Sequence, residues 1–194
     1  MLYPCLDYLS YRMNQSIKNT FSTIEDAVLV SPPVDLDGTP TPNIQNKILL
    51  FISQLERDPY PQQIPTYPGH PQKRIALTNK PLYVSLSVVM AASFSSANYT
   101  DGLKLLSHLM AFFHRNPLFN RHNSPDLPEI IEQIAMEMEN IPMEQLSHMW
   151  GMVGSRYLPS VVYKTRAVIP DSEAILTQTG QLATPELTMN RQPS

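Results

Sequence analysis

The chain has 194 residues, 42% hydrophobic and 16% charged, with a formal net charge of −3. That length predicts one domain, and the apolar fraction is enough for a sizeable core. A phosphate-backbone binder would be strongly basic, so no nucleic-acid partner is expected.

Residues 2–20 predict a helix. Leu2, Leu6, Leu9, Met13 and Ile17 recur at helical spacing, with Arg12, Asn14, Gln15 and Lys18 placed off that stripe. Pro4 is tolerated in the first turn. A short strand follows at Ala27–Ser31, then a connection marked by Pro32, Pro33 and Asp37-Gly38. Asn46–Gln54 reads as a strand. Its run Ile48–Ile52 is apolar on both faces, which predicts a central place in a sheet covered on both sides.

Arg57–Lys80 reads as a long irregular loop. Pro59, Pro61, Pro65, Pro68 and Pro71 exclude a continuous strand there, since proline lacks the donor a ladder needs. Tyr60, Tyr67, Lys73 and Arg74 give the loop aromatic and basic character and make it a candidate partner-contact loop. Leu82–Phe94 is the cleanest strand: Leu82, Val84, Leu86, Val88 and Met90 face one side, Tyr83, Ser85 and Ser87 the other. Asn98 or Thr100 is expected to cap the next helix, and Asp101 favours its N-terminus. Leu103, Leu106, Met110 and Phe113 are expected to form its buried stripe. Asn116–Asp126 reads as a loop. Ile130–Asn140 reads as a half-buried strand, with Ile134, Met136 and Met138 alternating against Gln133, Glu137 and Glu139.

Glu139–Arg166 organises the rest. Leu146, Met149, Trp150 and Val153 make one apolar helical face. Pro142 opens this helix and Gly154 closes it. Tyr157, Leu158 and Pro159 turn the chain. Val161, Tyr163, Thr165, Ala167 and Ile169 then alternate with Val162, Lys164, Arg166 and Val168 as a strand. Trp150, Tyr157, Leu158 and Pro159 are expected to be structural core. The order helix, strand, strand, strand, helix, strand, helix, strand predicts an α/β (α+β) domain. Its sheet is expected to be mixed, mostly antiparallel, and packed with three helices. Residues 1–170 form this domain, and the polar residues 171–194 read as an extended tail, mobile in the free protomer and ordering on a neighbour.

No constellation carries chemistry. Asp35-Leu36-Asp37-Gly38 resembles the start of a calcium loop, but the glycine falls at the fourth position and Asn46 stands where the bidentate glutamate belongs. Glu137 and Glu139 share a strand face, as alternation alone would place them. His70, His108, His114, His122 and His148 include no metal-binding spacing, and Cys5 is the only cysteine. No phosphate-cradling glycine loop or nucleophile elbow is present. No catalytic residue, cofactor or metal is therefore expected. No secretory signal or membrane-spanning run is seen, so synthesis in the cytoplasm and no membrane partner are expected.

The organising run also carries a resemblance. Glu139-Asn140, a short helix ending in Trp150-Gly151, and the run Arg156–Arg166 (RYLPSVVYKTR) resemble a domain family of contractile injection systems. These are the phage-tail-like particles of the antifeeding-prophage and virulence-cassette type. Leu82–Phe94, Tyr99–Phe113 and Asn123–Asn140 match as well, so the resemblance covers roughly residues 2–170. One departure is Pro142, where the family usually has a serine. In that family the domain is the N-terminal part of the tail-terminator, or cap, protein. The resemblance implies a tail-terminator-like fold and a homohexameric ring whose partners are the sheath and inner-tube proteins. It also implies assembly in the cytoplasm into a particle open to extracellular release. The alternative reading is a small ligand-binding or catalytic α/β domain.

Overall fold

The computed structural model describes residues 1–58, 74–76, 81–169 and 178–180. The elements in chain order are α1 (Leu2–Phe21), β1 (Val28–Val30), β2 (Lys47–Arg57), β3 (Arg74–Ala76), β4 (Leu82–Ser93), α2 (Tyr99–Arg115), β5 (Leu118–Asn120), β6 (Gln133–Glu139), α3 (Met143–Val153), β7 (Ser160–Ile169) and β8 (Gln178–Gly180). The chain divides into two compact units. One holds Met1–Pro61 and Pro81–Pro170, and the other holds Gln62–Lys80 and Asp171–Ser194.

The larger unit is a six-stranded sheet in the order β1-β2-β4-β7-β6-β5. β1 and β2 are parallel, and every other neighbouring pair is antiparallel. α1 and α2 cover one face: Leu9, Met13 and Ile17 from α1, and Leu109 and Phe113 from α2, pack with Ile48, Leu50, Val88 and Met90. Each such side chain fully removed from water stabilises the fold by about 1.5–3 kcal/mol. α3 covers part of the other face, where Met149 and Trp150 meet Leu49, Phe51, Val89, Ala91 and Val162. Ile48–Phe51 is therefore buried on both sides, as a continuous apolar run requires.

Several expectations are corrected at the level of single residues. Asn14 is buried, not set off the core. Its Oδ1 accepts the backbone N–H groups of Ala27 and Val28, both at 2.9 Å, and its Nδ2 donates to the Val28 carbonyl at 3.0 Å. This amide stands in for a strand partner and ties β1 to α1. The buried stripe of α2 runs through Gly102, Leu106, Leu109 and Phe113, whereas Leu103 is exposed and Met110 half-buried. The cause is Gly102. A Cβ there would lie 2.7 Å from the Phe94 ring, so the glycine alone lets this turn press close to Phe94. Asn98 is the residue before the helix, but its side chain makes no capping bond.

β5 forms inside the segment expected to be a loop, pairing Leu118–Asn120 with Ala135–Gln133. Met138 alternates as expected yet is 58% exposed. Pro142 sits one residue before α3 instead of opening it, and Gly154 ends α3 at φ 73°.

The smaller unit holds an antiparallel pair in which Arg74, Ile75 and Ala76 face Gly180, Thr179 and Gln178. Three residues of the segment read as a tail thus pair with three of the proline-rich loop.

Candidate assembly surfaces

The centre of the organising run is Trp150, 4% exposed. Its ring meets Phe51 edge-on at 6.2 Å and Tyr157 at 6.0 Å. Among the described residues, its Nε1–H and the Ser160 hydroxyl find no hydrogen-bond partner. Of the other residues expected in the core, Leu158 packs partly buried against this cluster. Pro159 is half-buried, and its carbonyl accepts the Ala92 N–H at 2.8 Å. Tyr157 is a correction: it is 62% exposed and meets Trp150 only in a T-shaped contact. Tyr157 sits in the turn after α3, so one side of its ring meets solvent. Met143 and Met152 on α3 are 79% and 81% exposed. Tyr60, Tyr67 and Lys73 lie outside the described residues. Of Arg74 only the backbone, in β3, is described.

Beyond α3, the same sheet face turns polar. Arg166 lies 3.6 Å from Asp58 and 4.0 Å from Glu137. Glu137 thus faces a cation across β7, and such exposed pairs contribute roughly 0–1 kcal/mol. Among the described residues no three histidine, cysteine or acidic side chains cluster as metal ligands would. His108 pairs with the Ser16 hydroxyl at 2.9 Å, and burial lowers its pKa. Cys5 is buried, and burial pushes its thiol up to about 12. A thiol so placed stays protonated and unreactive.

Two surfaces escaped the sequence reading. The first is the Asp35–Thr39 turn. Asp35 N–H donates to the Thr39 carbonyl at 2.8 Å, and Gly38 N–H to the Asp35 carbonyl at 2.9 Å. The Asp35 carboxylate accepts the Leu36 N–H at 2.7 Å, and the Asp37 carboxylate accepts the Thr39 N–H and hydroxyl at 2.9 and 2.6 Å. These hydrogen bonds from Thr39 hold the Asp37 carboxyl below its usual pKa. The carboxylates once compared with a calcium loop thus shape a turn, and Leu36 stands fully exposed at its tip. The second surface is an apolar groove of about 510 Å³ beside α2 and β6, lined by Met110, Phe113, His114, Met136, Met138 and Tyr163. Alternation found Met136 and Met138, but the gap between α2 and the sheet edge has no sequence signature. No helix among the described residues is long and apolar enough to cross a membrane.

The mixed sheet, with two helices on one face and one on the other, has counterparts among solved structures. The chain is similar to the sheath/tube terminator of an extracellular contractile injection system, PVC, in its extended state. That similarity has 12% identity and a TM-score of 0.50, and covers 95% of this chain and 64% of that one. It is also similar to the anti-feeding prophage cap, a tube-terminating cap, at 16% identity and a TM-score of 0.43, over 95% of this chain and 60% of that one. This chain therefore spans less than two thirds of either. No curated protein matches it. Residues 7–182 match the Pvc16 N-terminal domain, and the chain belongs to that family.

Proposed function

We propose that the chain is a tail terminator, the cap that ends growth of tube and sheath in a contractile phage-tail-like particle. Family membership across residues 7–182 is the observation that carries this reading. The physical need is plain. A tube of stacked rings exposes an unpaired surface at its growing end, and exposed edges invite further addition. Ending it takes a layer that matches the ring below and offers nothing to a ring above.

In this reading the protein forms a homohexameric ring at the end away from the baseplate, on inner-tube and sheath proteins. It assembles in the cytoplasm into a particle that is later released. Residues 1–170 are the docking body. The proline-rich loop, with Tyr60, Tyr67, Lys73 and Arg74, is a partner contact, and residues 171–194 are an accessory segment. No residue is assigned a catalytic role, because the acidic side chains described above hold turns or face cations. The test is genetic: removing the chain from a complete particle cluster should abolish uniform tube length, and supplying it again should restore it.

A further inference from the structure

The six-stranded sheet ends in β1 on one side and β5 on the other, each three residues long. A sheet edge ordinarily presents a row of unpaired N–H and C=O groups, which a strand from another chain can join. Alternation identifies those groups. The Pro117 carbonyl accepts the Met136 N–H, so Phe119 also addresses β6, and Leu118 and Asn120 turn their backbone groups outward. The Asn123 side chain meets both. Its Nδ2 donates to the Leu118 carbonyl at 2.8 Å, and its Oδ1 accepts the Asn120 N–H at 2.9 Å. The Asn120 carbonyl accepts the Ser124 N–H at 2.8 Å.

The opposite edge is closed by the same chemistry. The Ala27 carbonyl accepts the Ile48 N–H, and the Ser31 N–H donates to the Leu50 carbonyl, so Val28 and Val30 point outward from β1. Asn14, reaching across from α1, takes both the N–H and the carbonyl of Val28. Pro32 is the next outward residue and has no N–H to offer. Its carbonyl accepts the Thr41 hydroxyl at 2.8 Å. β2 and β6 run on past these short strands, but a bulge between Ile52 and Gln54 interrupts the first, and the exposed Glu137 and Glu139 charge the second. Short strands, proline, bulges and charge all discourage strand addition.

We infer that Asn14 and Asn123 are edge guards: each amide occupies outward backbone groups of one edge strand, so the sheet takes no added strand at β1 or β5. A second copy of this chain is the strand donor refused at β5, since two freed copies of that edge could pair with each other. Contacts with other subunits then run through faces and turns of the larger unit. The closure stands on hydrogen bonds within this chain; only its use in a cap, to refuse a further layer, rests on the function proposed above.

The test uses the full-length chain. In the unaltered protein the Val28 and Asn120 N–H groups should be protected from hydrogen exchange even at high dilution, despite their place on sheet edges. Free exchange there would overturn the inference with no substitution made. Asn123→Ala releases the Leu118 carbonyl and the Asn120 N–H, while the turn keeps the bonds from the His122 and Asn123 N–H groups to Asn120 Oδ1. Exchange at Asn120 should rise roughly tenfold in dilute solution. At higher concentration this variant should associate beyond the state of the unaltered chain, followed by sedimentation, and protection at Asn120 should return. Asn123→Asp keeps an acceptor for the Asn120 N–H and adds a charge to the edge, so it should not associate further. A folded Asn123→Ala chain that keeps the unaltered association state would show that the amide shapes only its turn, and the guard would fall. Equal association by both variants would remove it too, because the cause would then be a loosened loop. Loss of uniform tube length on deletion, with Asn123→Ala unassociated, would leave the terminator reading standing and remove only the guard.

Discussion

At the residue scale, Trp150 shows what burial without a polar partner means. Its stabilising role is packing, since its N–H makes no hydrogen bond among the described residues. Trp150→Ala should therefore cost about 3–5 kcal/mol, and Trp150→Phe only about 1–2 kcal/mol, in denaturant titrations. Equal losses would show that the N–H matters. Cys5 makes a pH prediction. Its thiol is raised from the ordinary 9.0 to about 12 by burial. Below 9 it is protonated in both folded and unfolded chains, and its contribution is complete. Between 9 and about 12 the unfolded chain loses the proton while the folded chain keeps it, so stability falls as pH rises. Tyr8 and Tyr163, also raised by desolvation, act in the same direction. Cys5→Ala should flatten the alkaline slope of the melting temperature, and an unchanged slope would contradict the burial argument. The burial of Trp150 was legible because helical spacing put it on an apolar face. The burial of Asn14 was not, since a polar residue is buried only where a distant backbone supplies its partners.

At the scale of elements, the long strands and helices were legible because their apolar periods are sustained. β4, β6 and β7 alternate over many residues, and α1 keeps its stripe for its whole length. β5 was not legible: three residues after Pro117 have no period of their own and become a strand only because β6 offers an edge. The face of α2 was misplaced because leucine, methionine and phenylalanine crowd it and permit more than one stripe. The close approach of Gly102 to Phe94 selects among them. β1 is equally short, and Asn14 secures it. Asn14→Ala should leave the Ala27 and Val28 N–H groups without their acceptor and cost about 2 kcal/mol or more. Hydrogen exchange should then rise at residues 27 and 28 ahead of the rest of the sheet. Uniform loss of protection would show that β1 is not held separately.

At the scale of the whole molecule, composition and periodicity gave a sheet-and-helix domain without chemistry. The family entered through the ordered run from Glu139 to Arg166. The groove at Met138 and the exposed Leu36 were invisible at every earlier scale, because each depends on how a helix lies on the sheet or how a turn is pinned. A cap is defined by what it prevents, so tube length is its direct readout. The decisive measurement is the tube-length distribution, by electron microscopy, of particles made with and without this chain. The account predicts a narrow distribution with it, a broad one extending to longer tubes without it, and recovery when it is supplied again. Tubes of normal, uniform length in its absence would contradict the terminator assignment.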